Sequence, residues 1–242
     1  MEPVFFFIIF AIVITVLLSA VFFSKKAIIK RKLKKSELRK IADFKNSELA
    51  TIVGTVEFVD APLLSPLSNR ECSYYYVHVE QKVASGKSSK WETIIEEEIS
   101  NKFLIKEDAN YAFINDDRIK SYIVQDQSYS TGFFTDATEN LENYLNSKGY
   151  KSEGSWGFNK TLRYKEGILE QGEKVAVFGK GEWKDAAKLN LPEKYGQILA
   201  ITSSNEDAIY LSDDPDTTVK NVTKRSSSEK PNTNTRKSRY RK

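Results

Sequence analysis

His78 is the sole imidazole in the chain and Cys72 the sole thiol. Acyl-transfer chemistry needs a nucleophile, a base and a group that orients the base, all within hydrogen-bond reach. Cys72 and Ser73 precede His78 by six and five residues, which along an extended strand is over ~15 Å. His78 alternates with Val77 and Val79 and reads as a partly exposed sheet residue. Gly86-Lys87-Ser88 has the ending of a phosphate-binding loop, but the Gly required five positions earlier is Gln81. Residues 91–97 read as strand where that loop needs a helix. A flexible hairpin turn is the better reading. Glu96-Glu97-Glu98 offers three carboxylates, yet neighbours on a strand face opposite ways and cannot converge on one cation. They read as a solvated edge strand whose charges block edge-to-edge pairing. One Cys and one His exclude a disulfide framework, a multi-Cys zinc site and a haem site. Cys72 reads as a small buried residue. No catalytic residue, metal ligand or cofactor is expected.

These residues sit on a body that alternates like a β protein. Residues 51–60 (TIVGTVEFVD) form a strand, 61–70 a loop with two prolines, and 73–81 (SYYYVHVEQ) a second strand. On that strand Tyr75, Val77 and Val79 share one face and Tyr74, Tyr76, His78 and Glu80 the other. Residues 83–90 make a hairpin loop and 91–97 pair back. Residues 103–124 hold two or three short strands joined at Asn115-Asp116-Asp117. Strands resume at 161–164, 174–178, 197–202 and 208–211. Within the polar stretch 125–160, residues 136–148 read as a short helix. Asp136 and Glu139 have capping-box spacing, Leu141, Tyr144 and Leu145 form a stripe, and Gly149 stands where the helix stops.

Residues 4–23 (VFFFIIFAIVITVLLSAVFF) carry no charge. At ~1.5 Å per residue they would reach roughly 30 Å, the thickness of a bilayer's hydrocarbon core. A membrane-spanning helix at residues 1–24 is the expectation. Cations follow it: Lys25, Lys26, Lys30, Arg31, Lys32, Lys34 and Lys35, then Arg39 and Lys40. A cleaved signal peptide would carry its positive charge first. By the positive-inside rule the N-terminus lies outside, the span crosses the cell membrane once and the main domain is cytoplasmic. The basic flank also contacts anionic head groups. With no Pro or Gly in residues 24–50, a helix is expected to continue to about Phe44, making residues 25–49 a basic linker.

The net charge of +4 hides three regions. Residues 1–40 carry +7 and residues 220–242 carry +8, while residues 41–219 carry −11. An acidic body argues against nucleic acid as a partner. Residues 216–242 are too polar to bury a core and read as a disordered basic tail, a second contact for anionic lipid.

Three stretches in order carry a resemblance: residues 65–75 (SPLSNRECSYY), followed by Val79-Glu80 and Trp91; residues 103–108 (FLIKED); and residues 164–179 (YKEGILEQGEKVAVFG). Together they resemble the GIDE domain, also called BAM for "beside a membrane". That domain occurs next to membrane spans in mitochondrial ubiquitin ligases and in many prokaryotic proteins. The resemblance covers residues 50–215. It implies a small β-rich fold used for binding or regulation at a membrane. The ligases also hold a RING finger with about eight Cys/His ligands, which one Cys and one His cannot form, so ligase activity does not carry over.

The fold expected is mainly β (α+β): a small barrel or sandwich with a short helical insert, preceded by one transmembrane helix. The function expected is non-catalytic binding, scaffolding or regulation at the membrane. One rival is a component of a ubiquitin-ligase-like or other enzyme system whose catalytic part is supplied in trans. Another is a membrane-stress or lipid-associated barrel domain. Besides the bilayer, a protein partner is expected. It would meet Ser65, Pro66, Ser68, Asn69 and Arg70 together with Tyr74 and Tyr76, since Arg and Tyr anchor interfaces and a Pro-containing loop loses little entropy on binding.

Overall fold

The computed structural model describes residues 2–131, 137–153 and 159–219. The expected tail at 220–242 lies outside them. In chain order the elements are α1 (Glu2–Phe22), α2 (Lys25–Lys35), β1 (Leu49–Phe58), β2 (Leu63–Leu64), β3 (Glu71–Cys72), β4 (Tyr74–Ser85) and β5 (Ser88–Ser100). They continue with β6 (Phe103–Glu107), β7 (Asn110–Ile114), β8 (Ile119–Tyr122), β9 (Gln127–Ser130) and α3 (Glu139–Ser147). The last are β10 (Leu162–Leu169), β11 (Lys174–Asp185), β12 (Gln197–Thr202), β13 (Ile209–Ser212) and α4 (Pro215–Thr218).

The chain is mainly β. Five strands close a barrel in the spatial order β1-β6-β7-β12-β11 and back to β1. All of its pairings are antiparallel except β7 with β12, giving a Greek-key barrel of the OB architecture class. Two strands, β13 and β8, extend the sheet from the other side of β11. Between β1 and β6, and again between β8 and β11, the chain leaves the barrel to build a four-stranded sheet in the order β5-β4-β10-β9. Helix α3 buries Leu141, Tyr144 and Leu145 against this sheet, beside Val77, Val79, Ile95 and Leu162.

The barrel core holds Ile52, Val56, Ile105, Val175, Val177, Leu199 and Ile201. Alternate residues of β11 point the other way: Ala176 and Phe178 pack with Ile29 and Leu33 of α2. Coverage on both faces explains why β11 reads as an almost unbroken apolar run. Two glycines of the 164–179 stretch have distinct backbone reasons. Gly172 turns with φ +80°, and its N–H donates to the Val56 carbonyl at 2.7 Å. At Gly179 a Cβ would stand 2.4 Å from the Ile201 Cγ2, so only a glycine admits that strand contact.

Several expectations are corrected. The membrane-spanning helix is one of them. Among the described residues, no helix is long and apolar enough to cross a membrane. Nor does one helix run on to Phe44. Ser24 breaks it by capping α2, its hydroxyl accepting the Ala27 N–H at 3.3 Å. Helix α2 ends at Lys35, and β1 begins at Leu49. The loop expected at 83–90 shrinks to Gly86-Lys87, because Gly86 takes φ +59°, the first-position pattern of a two-residue II′ hairpin. Helix α3 starts later than expected, capped by Thr138, whose hydroxyl accepts the Leu141 N–H. At its end Gly149 has φ +79°. Tyr150 N–H donates to Leu145 O at 2.9 Å and Gly149 N–H to Asn146 O at 3.0 Å, which is a Schellman cap.

Candidate functional site

The residues with nucleophilic or basic chemistry are dispersed or engaged. Cys72 is buried, and burial pushes its thiol up to about 11. That is the opposite of an activated nucleophile. His78 stands on β4, with Nε2 3.0 Å from the Thr93 hydroxyl and Nδ1 3.9 Å from Glu80. A hydroxyl, an imidazole and a carboxylate in line suggest a relay, but 3.9 Å is no hydrogen bond. Glu80 is also held by both ends of the Arg163 guanidinium. Among the described residues no three His, Cys, Asp or Glu side chains group to hold a metal ion.

Glu96, Glu97 and Glu98 of β5 are tyrosine acceptors. In the β4–β5 register, Tyr74, Tyr75 and Tyr76 stand diagonal to Glu98, Glu97 and Glu96. Their hydroxyls donate across at 2.7, 3.5 and 3.2 Å respectively. Glu97 also receives Tyr144 OH at 2.9 Å and Lys148 Nζ at 2.5 Å, which ties α3 to the sheet. Glu98 accepts from Tyr74, Ser121 and Lys25. Burial works to raise the Glu98 carboxyl, but these donors outweigh it and hold it below the usual carboxylate range. The repeated Tyr and Glu thus pair across the strands on both faces of the sheet, Tyr74–Glu98 and Tyr76–Glu96 on one and Tyr75–Glu97 on the other, a signal that register alone reveals.

The loop expected to meet a partner is fixed on the body by a buried carboxylate. Glu166 of β10, only 2% exposed, accepts the Leu67 N–H at 2.9 Å and the Ser68 N–H at 3.1 Å. Ser65 is buried and its N–H donates to Arg70 O at 2.9 Å, while Asn69 turns with φ +55°. Arg70 grips Glu170 through Nε at 3.0 Å and through Nη2. Pro66, Ser68 and Arg70 are half-buried and Asn69 is exposed. Tyr74 is buried in the barrel cluster, its hydroxyl on Ser121 as well as Glu98. Tyr76 is half-buried, its ring stacked on His78 with centroids 6.3 Å apart. Tyr74 and the 65–70 loop therefore do not share one exposed surface.

The strongest constellation lies where α1, α2 and the barrel meet. Ile29 is 1% and Leu33 4% exposed, packed on Val53, Ala176, Phe178 and Tyr210. Around this apolar seam the basic flank pairs with the acidic body. Lys25 reaches Glu98 at 2.6 Å. Lys30 reaches Asp214 and Asp216, both at 2.8 Å, and Lys32 reaches Asp207 at 2.6 Å. Lys34 lies 3.6 Å from Asp216. The hydrogen bond that Lys30 donates to Asp214 heads the causes that raise its ammonium above the ordinary value. Lys26 sits over the Tyr122 ring at 4.7 Å. Arg31 donates to Phe22 O at 2.6 Å and lies over the Phe22 ring. The flank is a docked collar that fixes where α1 leaves the body. Sequence pattern missed this, because the acidic partners lie 73 to 186 positions away.

Beneath the collar, Asp213 is buried and accepts the Val124 N–H at 2.8 Å. Burial pushes its carboxyl up to about 7, and Glu173 and Asp126 add repulsion. The folded state then keeps a proton that the unfolded chain releases near pH 4. Stability therefore falls as pH rises from about 4 to about 7, and the loss is complete above that. Asp213→Asn, which keeps the acceptor oxygen, is expected to remove this loss. Its Tm relative to the parent should climb across that window and exceed the parent's at pH 8, as thermal melts at stepped pH will read.

Comparison with known proteins adds no relative: no family model, no curated protein and no solved structure matches the chain. The barrel architecture alone assigns no ligand.

Proposed function

We propose that this chain is a non-catalytic binding or regulatory module held at a lipid surface through α1. The observation that carries the reading is the collar. Helix α2 is locked to the β body by Ile29, Leu33 and its ion pairs, and it continues at once into a helix with exposed Phe5, Phe6, Phe7 and Phe10. A contiguous apolar surface of that kind needs a cover, and lipid beside a cationic collar supplies one. The cations favour the anionic cytoplasmic leaflet. The likeness to the GIDE domain, carried by residues 65–75, 103–108 and 164–179, supports the same reading: a β module beside a membrane. The His78 and Cys72 environments favour binding over catalysis.

Flotation with phosphatidylcholine vesicles containing phosphatidylglycerol tests it. The full chain is expected in the vesicle fraction, and Phe6→Asp/Phe10→Asp is expected to leave most of the protein behind. A parent chain that stays monodisperse in the lipid-free fraction would overturn the proposal.

A further inference from the structure

We propose that the cavity beside Arg31 and Lys35 binds the phosphate of an anionic phospholipid headgroup. The inference rests on the lipid-surface reading above and names the site through which the collar reads the lipid.

Of the seven cations in the flank, four are neutralised by carboxylates of the β body and Lys26 lies over an aromatic ring. Arg31 and Lys35 carry no ion pair among the described residues. They are four positions apart on α2 and so share a face. That face lines a cavity of about 550 Å³, within the ~300–1,000 Å³ range of small-ligand sites. Arg31 is held in place before any ligand arrives. One Nη2 donates to the Phe22 carbonyl at 2.6 Å, and the guanidinium lies 3.7 Å over the Phe22 ring. Its remaining N–H groups stay free to meet an oxyanion.

The other walls fit a lipid better than a bare ion. Ile28 and Leu49 line the same cavity, and both are partly exposed. Exposed Phe22 and Phe23 stand at the end of α1, beside the cations. Two carboxylates also line the cavity, but each is already engaged: Asp207 with Lys32 at 2.6 Å, and Glu37 with Arg39 at 2.7 Å. Arg39 also serves Glu48 at 2.7 Å, so the lining sets Arg31, Lys32 and Lys35 against Asp207 and Glu37, a net single positive charge centred on Arg31 and Lys35. A phosphate would sit between them, with the glycerol and first methylenes along Ile28 and Phe22.

The test uses the full chain in neutral maltoside micelles, titrated with dihexanoyl phosphatidylglycerol while thermal unfolding is followed. The lipid is expected to raise Tm in a saturable way, with dihexanoyl phosphatidylcholine giving a much smaller shift. Arg31→Gln/Lys35→Gln is expected to weaken the apparent affinity by about 10- to 30-fold. Lys40→Gln/Lys45→Gln, which removes the same charge elsewhere, should leave it unchanged. Lys35→Gln alone provides the reading if the first double variant does not fold, and a several-fold loss is expected. Equal losses in the two double variants would overturn the site in favour of diffuse electrostatics. Inorganic phosphate giving the same shift as the lipid would overturn the lipid assignment. Because the micelle assay needs no bilayer, it can fail while flotation succeeds, so the two proposals fall separately.

Discussion

Leu33→Asp is expected to release α2 from the barrel and to lower the stability of the folded chain by about 3–5 kcal/mol. Leu33 is buried among Val53, Ala176, Phe178 and Tyr210, where a carboxylate finds no donor meant for it. The loss is capped by the option of undocking. A released α2 gives up the burial of Leu33 and Ile29, roughly 1.5–3 kcal/mol each, and weakens the ion pairs of Lys30 and Lys32. Denaturant unfolding measures the loss, and limited proteolysis between residues 25 and 35 locates it. Lys34→Gln, on an exposed position of the same helix, should stay within about 0.5 kcal/mol of the parent.

Glu166→Ala carries the second large effect, about 2–4 kcal/mol of destabilisation. The side chain is buried and is an acceptor for two backbone N–H groups, those of Leu67 and Ser68. Removing it leaves both donors without that partner in the interior, which costs more than the bonds themselves contributed. Glu166→Gln keeps one good acceptor oxygen and is expected to lose about half as much. The amides of Leu67 and Ser68 should exchange faster in Glu166→Ala well below the denaturation midpoint. Unchanged exchange at those two amides would mean that the loop is held by its own turn, Ser65 N–H to Arg70 O and Asn69 N–H to Ser65 O.

What the sequence revealed was whatever repeats locally. Period-two alternation marked most of β1 and the facing of β4, and Gly149 marked the end of α3, because each signal lies within a few residues. Barrel closure did not show. It depends on β1 meeting β11 and on β7 meeting β12 in parallel, pairings between segments about 90 to 130 positions apart that no local pattern encodes. The break at Ser24 was hidden by the absence of Pro and Gly around it. A single hydroxyl, by capping Ala27 N–H, ends one helix and starts the next. What holds the candidate partner loop in place was hidden for a related reason. Its type and turn residues were visible, but the buried Glu166 beneath it and the Arg70–Glu170 pair lie about 100 positions away. The basic flank looked like seven free cations, whereas four of them face carboxylates supplied by β5, by α4 with the residue before it, and by the turn before β13. What remained after that pairing, Arg31 and Lys35, could be picked out only once the partners of the others were known.

The central claim is that α2 belongs to the folded β body and carries α1 at a fixed exit. Amide hydrogen exchange on the full chain bound to phosphatidylglycerol-containing vesicles tests it directly. Amides of Ile29 to Leu33 are expected to be protected to the same degree as those of β11, because Ile29 and Leu33 pack on Ala176 and Phe178 and open only with them. Exchange of the α2 amides at the rate of an undocked helix, with β11 still protected, would contradict the account.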